Sequence, residues 1–231
     1  MELKKQLAGI AATFLFSFFL LSCDNNDDPV PSPPFLENDE ITISNIYGIP
    51  SGVSFNKIKV EIQGYDWQVI DIIEANYTDG KAVLLLPSGF AYEKLMKVAR
   101  EDRSDYTGFW HADSDNANAR VAGFAEISAY DNEKKVGTLI LTDWSGSGSR
   151  ELSANVYYHY TNEPVNLTNT QKDTNKSYTF RASFQKGWNA YAYINPLDAL
   201  IGTAEGKVQC VSPVPAERKF AWYFQPIYAP Q

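Results

Sequence analysis

The two histidines, His111 and His159, are the residues best suited by type to act as a general base near neutral pH. A serine nucleophile needs such a base within reach, and in many hydrolases the serine lies in a Gly-x-Ser-x-Gly turn. The sequence has no such turn, and the run Ser145–Ser149 has the spacing of a flexible Gly-Ser loop. We therefore predict no catalytic residues. A hydrolase remains an alternative that would need a deep pocket with a histidine or paired carboxylates at its floor.

Asp113 and Asp115 lie shortly after His111 and are separated by one residue, which is the spacing of ligands in a calcium loop. Calcium loops of this type continue Asp-x-Asp-x-Asn and add a bidentate glutamate further on. Here the fifth position is Ala117, and no glutamate follows at the required distance. The segment is also typical of a solvated turn rich in Asp and Asn. We predict no metal, with Asp113 and Asp115 as a weak calcium candidate.

Paired carboxylates could hydrolyse a glycosidic bond if they faced each other across a cleft. With 28 acidic residues in the chain, some pair is always available, so no particular pair is indicated. We predict no cofactor either.

Aromatic residues are the more informative group for binding. Several tryptophans fall at turns or strand ends, and several tyrosines fall on the polar faces of their strands, where we expect them to be exposed. Exposed aromatic patches mark interaction sites, although a tryptophan at a strand end can also pack over the edge of a sandwich. The predicted ligand-binding residues are Trp110, Trp144, Trp188, Tyr157, Tyr191 and Tyr193.

Residues at the start of the chain predict a covalent modification. Lys4 and Lys5 precede an apolar run, Leu7–Leu21, and the run ends at Leu20-Leu21-Ser22-Cys23. A basic start followed by a short apolar run and a small residue is typical of a secretory signal. The run is too short to span a bilayer comfortably.

The ending at Cys23 resembles the lipobox of bacterial lipoproteins, and the acidic residues Asp24–Asp28 resemble the export signal of Bacteroidetes surface lipoproteins. The resemblance implies that residues 1–22 are removed and that Cys23 becomes the first residue, with lipid on its sulfur and amine. It also implies an outer-membrane lipoprotein that faces the medium, with a periplasm-facing lipoprotein as the alternative. The acidic and proline-rich residues 23–38 are predicted to be an extended tether.

Charge and cysteine content narrow the partners further. The full chain has a net charge of −8, and removing Glu2, Lys4 and Lys5 leaves 18 basic and 27 acidic residues, or −9. The sequence has no basic stripe that would indicate binding to nucleic acid. Anionic headgroups would repel the chain, so the lipid must hold it to the membrane. The second cysteine, Cys210, has no partner for an internal disulfide and is predicted to be a small core residue.

Period-2 alternation with regular turn signals recurs along the chain and predicts an all-β fold, an antiparallel β-sandwich. Two tandem sandwiches of immunoglobulin-like or transthyretin-like type are the alternative arrangement. Residues 39–105 and 106–231 would then form an N-terminal and a C-terminal β-sandwich unit. One short helix is expected near 91–103, where Leu95, Val98 and Ala99 have helical spacing.

These observations together predict a lipid-anchored, non-catalytic cell-surface protein. It would bind a glycan or glycoprotein through its exposed aromatic residues. A structural or assembly module of a surface complex or fimbria-like appendage is the alternative from a different class, and it would expose a sheet edge to a partner protein.

Overall fold

A computed structural model describes Leu36 and residues 39–99, 108–110, 112–143, 153–173, 176–195, 206–216 and 218–227. These residues form fifteen strands and two short 3₁₀ turns. The strands are β1 (Glu40–Ser44), β2 (Lys57–Gln63), β3 (Val69–Asn76), β4 (Lys81–Leu85), β5 (Met96–Ala99), β6 (Gly108–Trp110), β7 (Asp113–Ser114), β8 (Arg120–Asp131), β9 (Lys134–Thr142), β10 (Ser153–Thr161), β11 (Val165–Asp173), β12 (Lys176–Phe184), β13 (Gly187–Asn195), β14 (Gly206–Ser212) and β15 (Ala221–Pro226).

Thirteen strands form one large sheet, and β1 pairs with β4 in a second, two-stranded sheet. The large sheet has the order β3-β2-β8-β9-β10-β13-β14-β12-β11-β7, with β15 on β9 and with β5 against β6 and β8. Its pairings are antiparallel except for β12 with β14 and β5 with β6. The predicted all-β fold is therefore confirmed, with a mainly antiparallel, sandwich-like arrangement.

The β1–β4 sheet covers one face of the large sheet, and the space between them is the first core. Its residues alternate along their strands, as a half-buried strand requires. Ile41 and Leu84 come from the small sheet, while Ile58, Leu139 and Tyr158 come from the large one. Each of these side chains is buried.

A second core lies where the large sheet curls, with β7 next to β5. It is built from Met96 and Val98 of β5, Leu167 of β11, Phe184 of β12 and Tyr191 of β13. Strand β13 supplies residues to both cores, because Trp188, Ala192 and Ile194 pack in the first core, whereas Tyr191, which alternation assigns to the polar face, packs in the second.

The described part of the segment 91–103, residues 91–99, is not a helix, which corrects the sequence prediction there. Residues Tyr92–Lys94 form a single 3₁₀ turn, and Met96–Ala99 form β5. Leu95 belongs to the first core, whereas Met96 and Val98 belong to the second. A short apolar run that is covered on both sides has no clear period, so its spacing fitted a helix equally well. The remainder of the segment lies outside the described residues.

The boundary expected between residues 105 and 106 does not separate two sheets. β2 pairs with β8 along the whole of β2, so strands from both sides of that boundary are neighbours. All described residues on both sides of that boundary also belong to one compact unit. Among the residues that the structure describes, no helix has the length and apolar character needed to cross a bilayer.

Candidate binding site

Three neighbouring strands of the large sheet, β8, β9 and β10, separate and leave an opening. β8 pairs with β9 as far as Ser128, and with β10 only up to Gly123. β9 and β10 pair with each other at Leu141 and Thr142. The stretch 124–127 of β8 pairs with β2 on its other side. The opening therefore lies between 124–127 and the facing parts of β9 and β10.

A β-bulge shapes this part of β8. Glu126 pairs with Glu61, and Phe124 pairs with Ile62, so Ala125 is an extra residue between them. Bulges bend a strand and change the direction of its side chains. Phe124 consequently packs against the first core, while Glu126 remains exposed.

The opening is a cavity of about 250 Å³. Its walls combine apolar side chains with a few that can donate or accept hydrogen bonds, which is the usual composition of a small-ligand site. The polar side chains in the wall are Glu126, Thr138, Asn155 and Gln225.

Tyr157 forms part of this wall and is 41% exposed. Its ring stacks on Tyr191, with 5.6 Å between ring centroids and 26° between planes. Tyr193 meets Tyr157 edge-on, with centroids 6.3 Å apart. Register explains the arrangement, because Tyr191 lies directly opposite Tyr157 and Tyr193 lies on the diagonal. The two supporting rings hold the exposed ring of Tyr157 in place at the cavity.

His159 continues the stack toward the second core. Its imidazole lies against the ring of Tyr191, with centroids 4.8 Å apart and 17° between planes. Its side chain is fully buried, and this burial lowers the pKa of His159 to about 3. The imidazole is therefore neutral at physiological pH and lies away from solvent, where it supports the tyrosines.

Glu126 supplies the charge at the cavity. Partial burial raises the pKa of Glu126, but the bonds from Lys135 and Ser128 and the attraction of the Lys135 charge outweigh it. The net effect holds the pKa of the Glu126 carboxyl below its usual value. The site thus presents an ionised carboxylate that is already paired with a lysine.

The predicted ligand-binding aromatics divide into three groups. Tyr157 is exposed, whereas Tyr193 is partly buried and packs against the second core. Trp188 and Tyr191 are buried, which corrects the expectation that they are exposed. Trp188 packs in the first core and donates from Nε1 to the carbonyl oxygen of Pro87 at 2.8 Å, and Tyr191 lies in the second core because β12 covers that face.

The remaining predicted residues lie partly or wholly outside the described part of the chain. Trp110 ends β6, but its side chain is not described. Trp144, His111 and the lipidation candidate Cys23 are outside the described residues.

Asp113 and Asp115, the weak calcium candidate, take part in contacts between β7 and β11. Asp115 accepts hydrogen bonds from the backbone N–H of Asn166 at 2.8 Å and from its side-chain amide at 2.6 Å. These two bonds, the backbone one first, lower the pKa of Asp115. Asp113 pairs with Thr168 in the β7–β11 ladder. Within the described ranges, no group of three His, Cys, Asp or Glu residues could hold a metal ion.

Sequence reasoning missed the polar wall of the cavity. A signal for it exists, because the alternation of β8 breaks at Phe124-Ala125-Glu126-Ile127, which is typical of a bulge. It also left out Trp67, which is 41% exposed at the turn after β2. A tryptophan at the tip of a hairpin is itself unusual, since turns favour small and polar residues.

No protein family matches this sequence, no curated protein matches it, and no solved structure matches the fold. Fold and site together define a mainly antiparallel β protein with a small, tyrosine-walled cavity where three strands separate.

Proposed function

We propose that this chain is a lipid-anchored protein of the outer membrane, exposed at the cell surface, that binds a glycan or glycoprotein without catalysing a reaction. The observation that carries the binding part is the exposed ring of Tyr157, which is stacked on Tyr191 at the wall of a small cavity.

The chemistry of the cavity suits a sugar. A pyranose ring has an apolar face of C–H groups, which can lie on an aromatic ring, and hydroxyl groups at its edge, which need hydrogen-bond partners. Tyr157 offers the ring, and Glu126, Thr138, Asn155 and Gln225 offer polar groups around it. Because Tyr191 and Tyr193 already hold Tyr157, little side-chain freedom is lost when a ligand binds.

The surroundings of His159 support the non-catalytic part of the proposal. A general base must reach the proton that it removes and must have a pKa near the working pH. His159 is buried behind Tyr191, and its pKa is about 3. The carboxylate in the cavity wall, Glu126, is ion-paired with Lys135 and has a lowered pKa, which suits a hydrogen-bond acceptor better than an acid.

The lipid anchor rests on the sequence around Cys23. Cells that express the full chain are labelled with radioactive palmitate and then fractionated. The protein should take up label and sediment with the outer membrane, and Cys23→Ser should abolish both. Labelling of surface amines on intact cells separates the outer face from the periplasmic alternative, because a protein that faces the periplasm would not be labelled.

Glycan binding is tested with the full lipidated chain reconstituted in lipid nanodiscs. A glycan array identifies a ligand, and calorimetry then measures its affinity for the wild type, Tyr157→Ala and Tyr47→Ala. Tyr47 is the matched control, since its exposed ring also contacts another tyrosine, Tyr223, at 5.6 Å but does not line the cavity. Affinity lost only in Tyr157→Ala supports the proposal, and no binding to any glycan by the folded protein refutes it.

One observation favours assembly as a second candidate function. β3 is the last strand at one end of the large sheet, and its residues Val69 and Ile72 are exposed. An edge of this kind can accept a strand from a partner. Asp71, however, accepts a hydrogen bond from the N–H of Ile72 at 2.8 Å, which occupies one donor at this strand. Co-purification of a stoichiometric protein partner from intact membranes, together with no glycan affinity, would favour assembly over glycan binding.

A further inference from the structure

The chain that would carry the lipid enters the fold at one end of the large sheet. Asp39 accepts a hydrogen bond from the backbone N–H of Leu86 at 2.9 Å, just after β4. The next residue, Pro87, accepts the Nε1–H of Trp188 at 2.8 Å. Trp188 lies near the start of β13, so Asp39 and Leu86 are at the end of the sheet where β13 begins.

The turn between β2 and β3 lies at this same end. Trp188 pairs with Tyr160, near the C-terminal end of β10. This end of β10 is also the part that pairs with β8. At the same level of β8, Gly123 pairs with Gln63, the last residue of β2. The turn of residues 64–68 follows directly.

The 3₁₀ turn before β5 completes this end of the molecule. Gly64 lies so close to the backbone oxygen of Lys94 that no β-carbon would fit between them. The guanidinium of Arg120 lies over the ring of Tyr92, 5.0 Å from its centroid. The backbone of Lys94, and with it the turn that carries Tyr92 and the Arg120 guanidinium over its ring, therefore lies beside the turn of residues 64–68.

Large apolar side chains are exposed at this end. We define the end patch as five of them, which are 41% to 66% exposed: Tyr65, Trp67, Val69, Leu85 and Tyr92. Scattered apolar residues on a surface need no explanation, but several at one end of a molecule indicate a contact surface.

The backbone at the tip of the patch is held in an unfavourable conformation. Asp66 and Trp67 have φ angles of 54° and 60°, in the left-handed region that favours glycine. Non-glycine residues in this region cost free energy and are concentrated where function requires a particular geometry. Here the conformation places a large indole at an exposed tip instead of the glycine or asparagine that the turn would prefer.

We propose that the end patch contacts the surface of the membrane in which the chain is anchored, with Trp67 in the headgroup region. This inference rests on the proposed lipid anchor. Leu36 already packs against the first core, so the thirteen residues 23–35 before it would reach at most about 45 Å. The chain then continues to Asp39, on the same end as the patch.

The composition of the patch fits a lipid surface. Tryptophan and tyrosine are enriched at membrane–water interfaces because one part of each ring is apolar and another is polar. Charge at this end adds little attraction to headgroup phosphates, because exposed Asp66 and Glu93 lie in the same two turns as Trp67 and Lys94, and the Arg120 guanidinium donates to the backbone oxygens of Ala117 and Ala119. A patch of five side chains is too small to hold the protein by itself, so it orients the protein while the lipid supplies attachment.

The test uses the full lipidated chain in phosphatidylcholine vesicles, with and without phosphatidylglycerol, that contain lipids brominated near the top of the acyl chains. Bromine quenches nearby tryptophan fluorescence. Wild type should be quenched, and Trp67→Phe should lose at least about half of that quenching, while Tyr157→Ala at the cavity should behave as wild type. Trp67→Gly, which suits the left-handed backbone, repeats the test if Trp67→Phe disturbs the fold.

Flotation of the same vesicles separates the two ways of failing. If the protein does not float with the vesicles, the anchor has failed and the inference fails with it. If the protein floats and Trp67→Phe leaves quenching unchanged, the anchor stands and the membrane contact is refuted. A second outcome would refute the membrane contact in favour of a protein partner. In that outcome quenching is unchanged, and another protein protects Trp67 from oxidative footprinting in intact cells.

Discussion

The imidazole ring of His159 lies directly over the α-carbon of Gly123 on the neighbouring strand. A β-carbon at residue 123 would overlap the Cδ2 and Nε2 atoms of that ring. The two residues are paired in register between β8 and β10. The stack that runs from His159 through Tyr191 to Tyr157 at the cavity therefore depends on the absence of a side chain at Gly123.

Gly123→Ala should lower the free energy of unfolding by about 1–3 kcal/mol, the usual cost of overfilling a packed site. Urea titration followed by tryptophan fluorescence measures it. Gly89→Ala is the control, since a β-carbon there would meet only the end of the Tyr160 side chain, with the hydroxyl at 3.2 Å and Cζ at 3.9 Å. Equal losses in the two variants would contradict the close fit of His159 on Gly123.

Stability should fall as pH decreases because of His159. Its pKa is about 3 in the folded chain and 6.5 when exposed, so the unfolded chain binds an extra proton between these values. The free energy of unfolding should therefore decrease by about 1 kcal/mol per pH unit through this window as pH falls below 6.5. Urea titrations of wild type and His159→Gln at pH 7 and pH 5 measure the difference, and the same slope in both would contradict the prediction.

Thiol titration should separate the two cysteines. Burial raises the pKa of Cys210 to about 12, so this thiol should not react with a thiol reagent in the folded protein. In denaturant, the mature protein should release one reactive thiol if Cys23 carries a thioether-linked lipid. Two reactive thiols would contradict lipidation, and reaction of Cys210 before unfolding would contradict its burial.

The ring face of Tyr157 should contribute more to glycan affinity than its hydroxyl. Tyr157→Ala should weaken binding about tenfold, or about 1.4 kcal/mol. Tyr157→Phe keeps the ring and its stacking on Tyr191, so its affinity should stay within about twofold of wild type. Calorimetry with the glycan found on the array measures both, and equal losses would assign the contribution to the hydroxyl instead.

Trp67 should contribute little to stability for its size. Trp67→Asn removes an exposed ring but suits the left-handed backbone at φ 60°, so the two effects offset each other and the change should be within about 1 kcal/mol. Trp188→Ala removes a buried ring of the first core and should cost about 3–5 kcal/mol. Chemical denaturation compares the two, and a large loss at Trp67 would show that its ring holds the turn together.

Local pattern was sufficient for most strands. The residues of β2, Lys57–Gln63, alternate between polar and apolar side chains, and Asp79-Gly80 is a hairpin turn signal directly before β4. Asp79 and Gly80 have φ angles of 52° and 76°, as a tight hairpin requires. These features depend on neighbours in the chain, so they can be found without knowledge of the fold.

Burial of the polar-face residues could not be predicted in the same way. Alternation separates Tyr157 and His159 from Tyr158, but it says nothing about what covers each face. Of the two residues on the polar face, His159 is buried and Tyr157 is exposed. The second core, which includes Tyr191 and Phe184, covers the part of the sheet next to His159 and stops before Tyr157.

The sequence by itself determined where most strands lie and which residues share a face, because a period of two is a property of the extended backbone. Only the tertiary structure decided which faces are covered, where β8, β9 and β10 separate, and which of the aromatic residues reach the cavity. Those features arise from pairing between strands that are distant in the chain, such as β8 with β10 and β12 with β14, and a local pattern carries no information about such pairing.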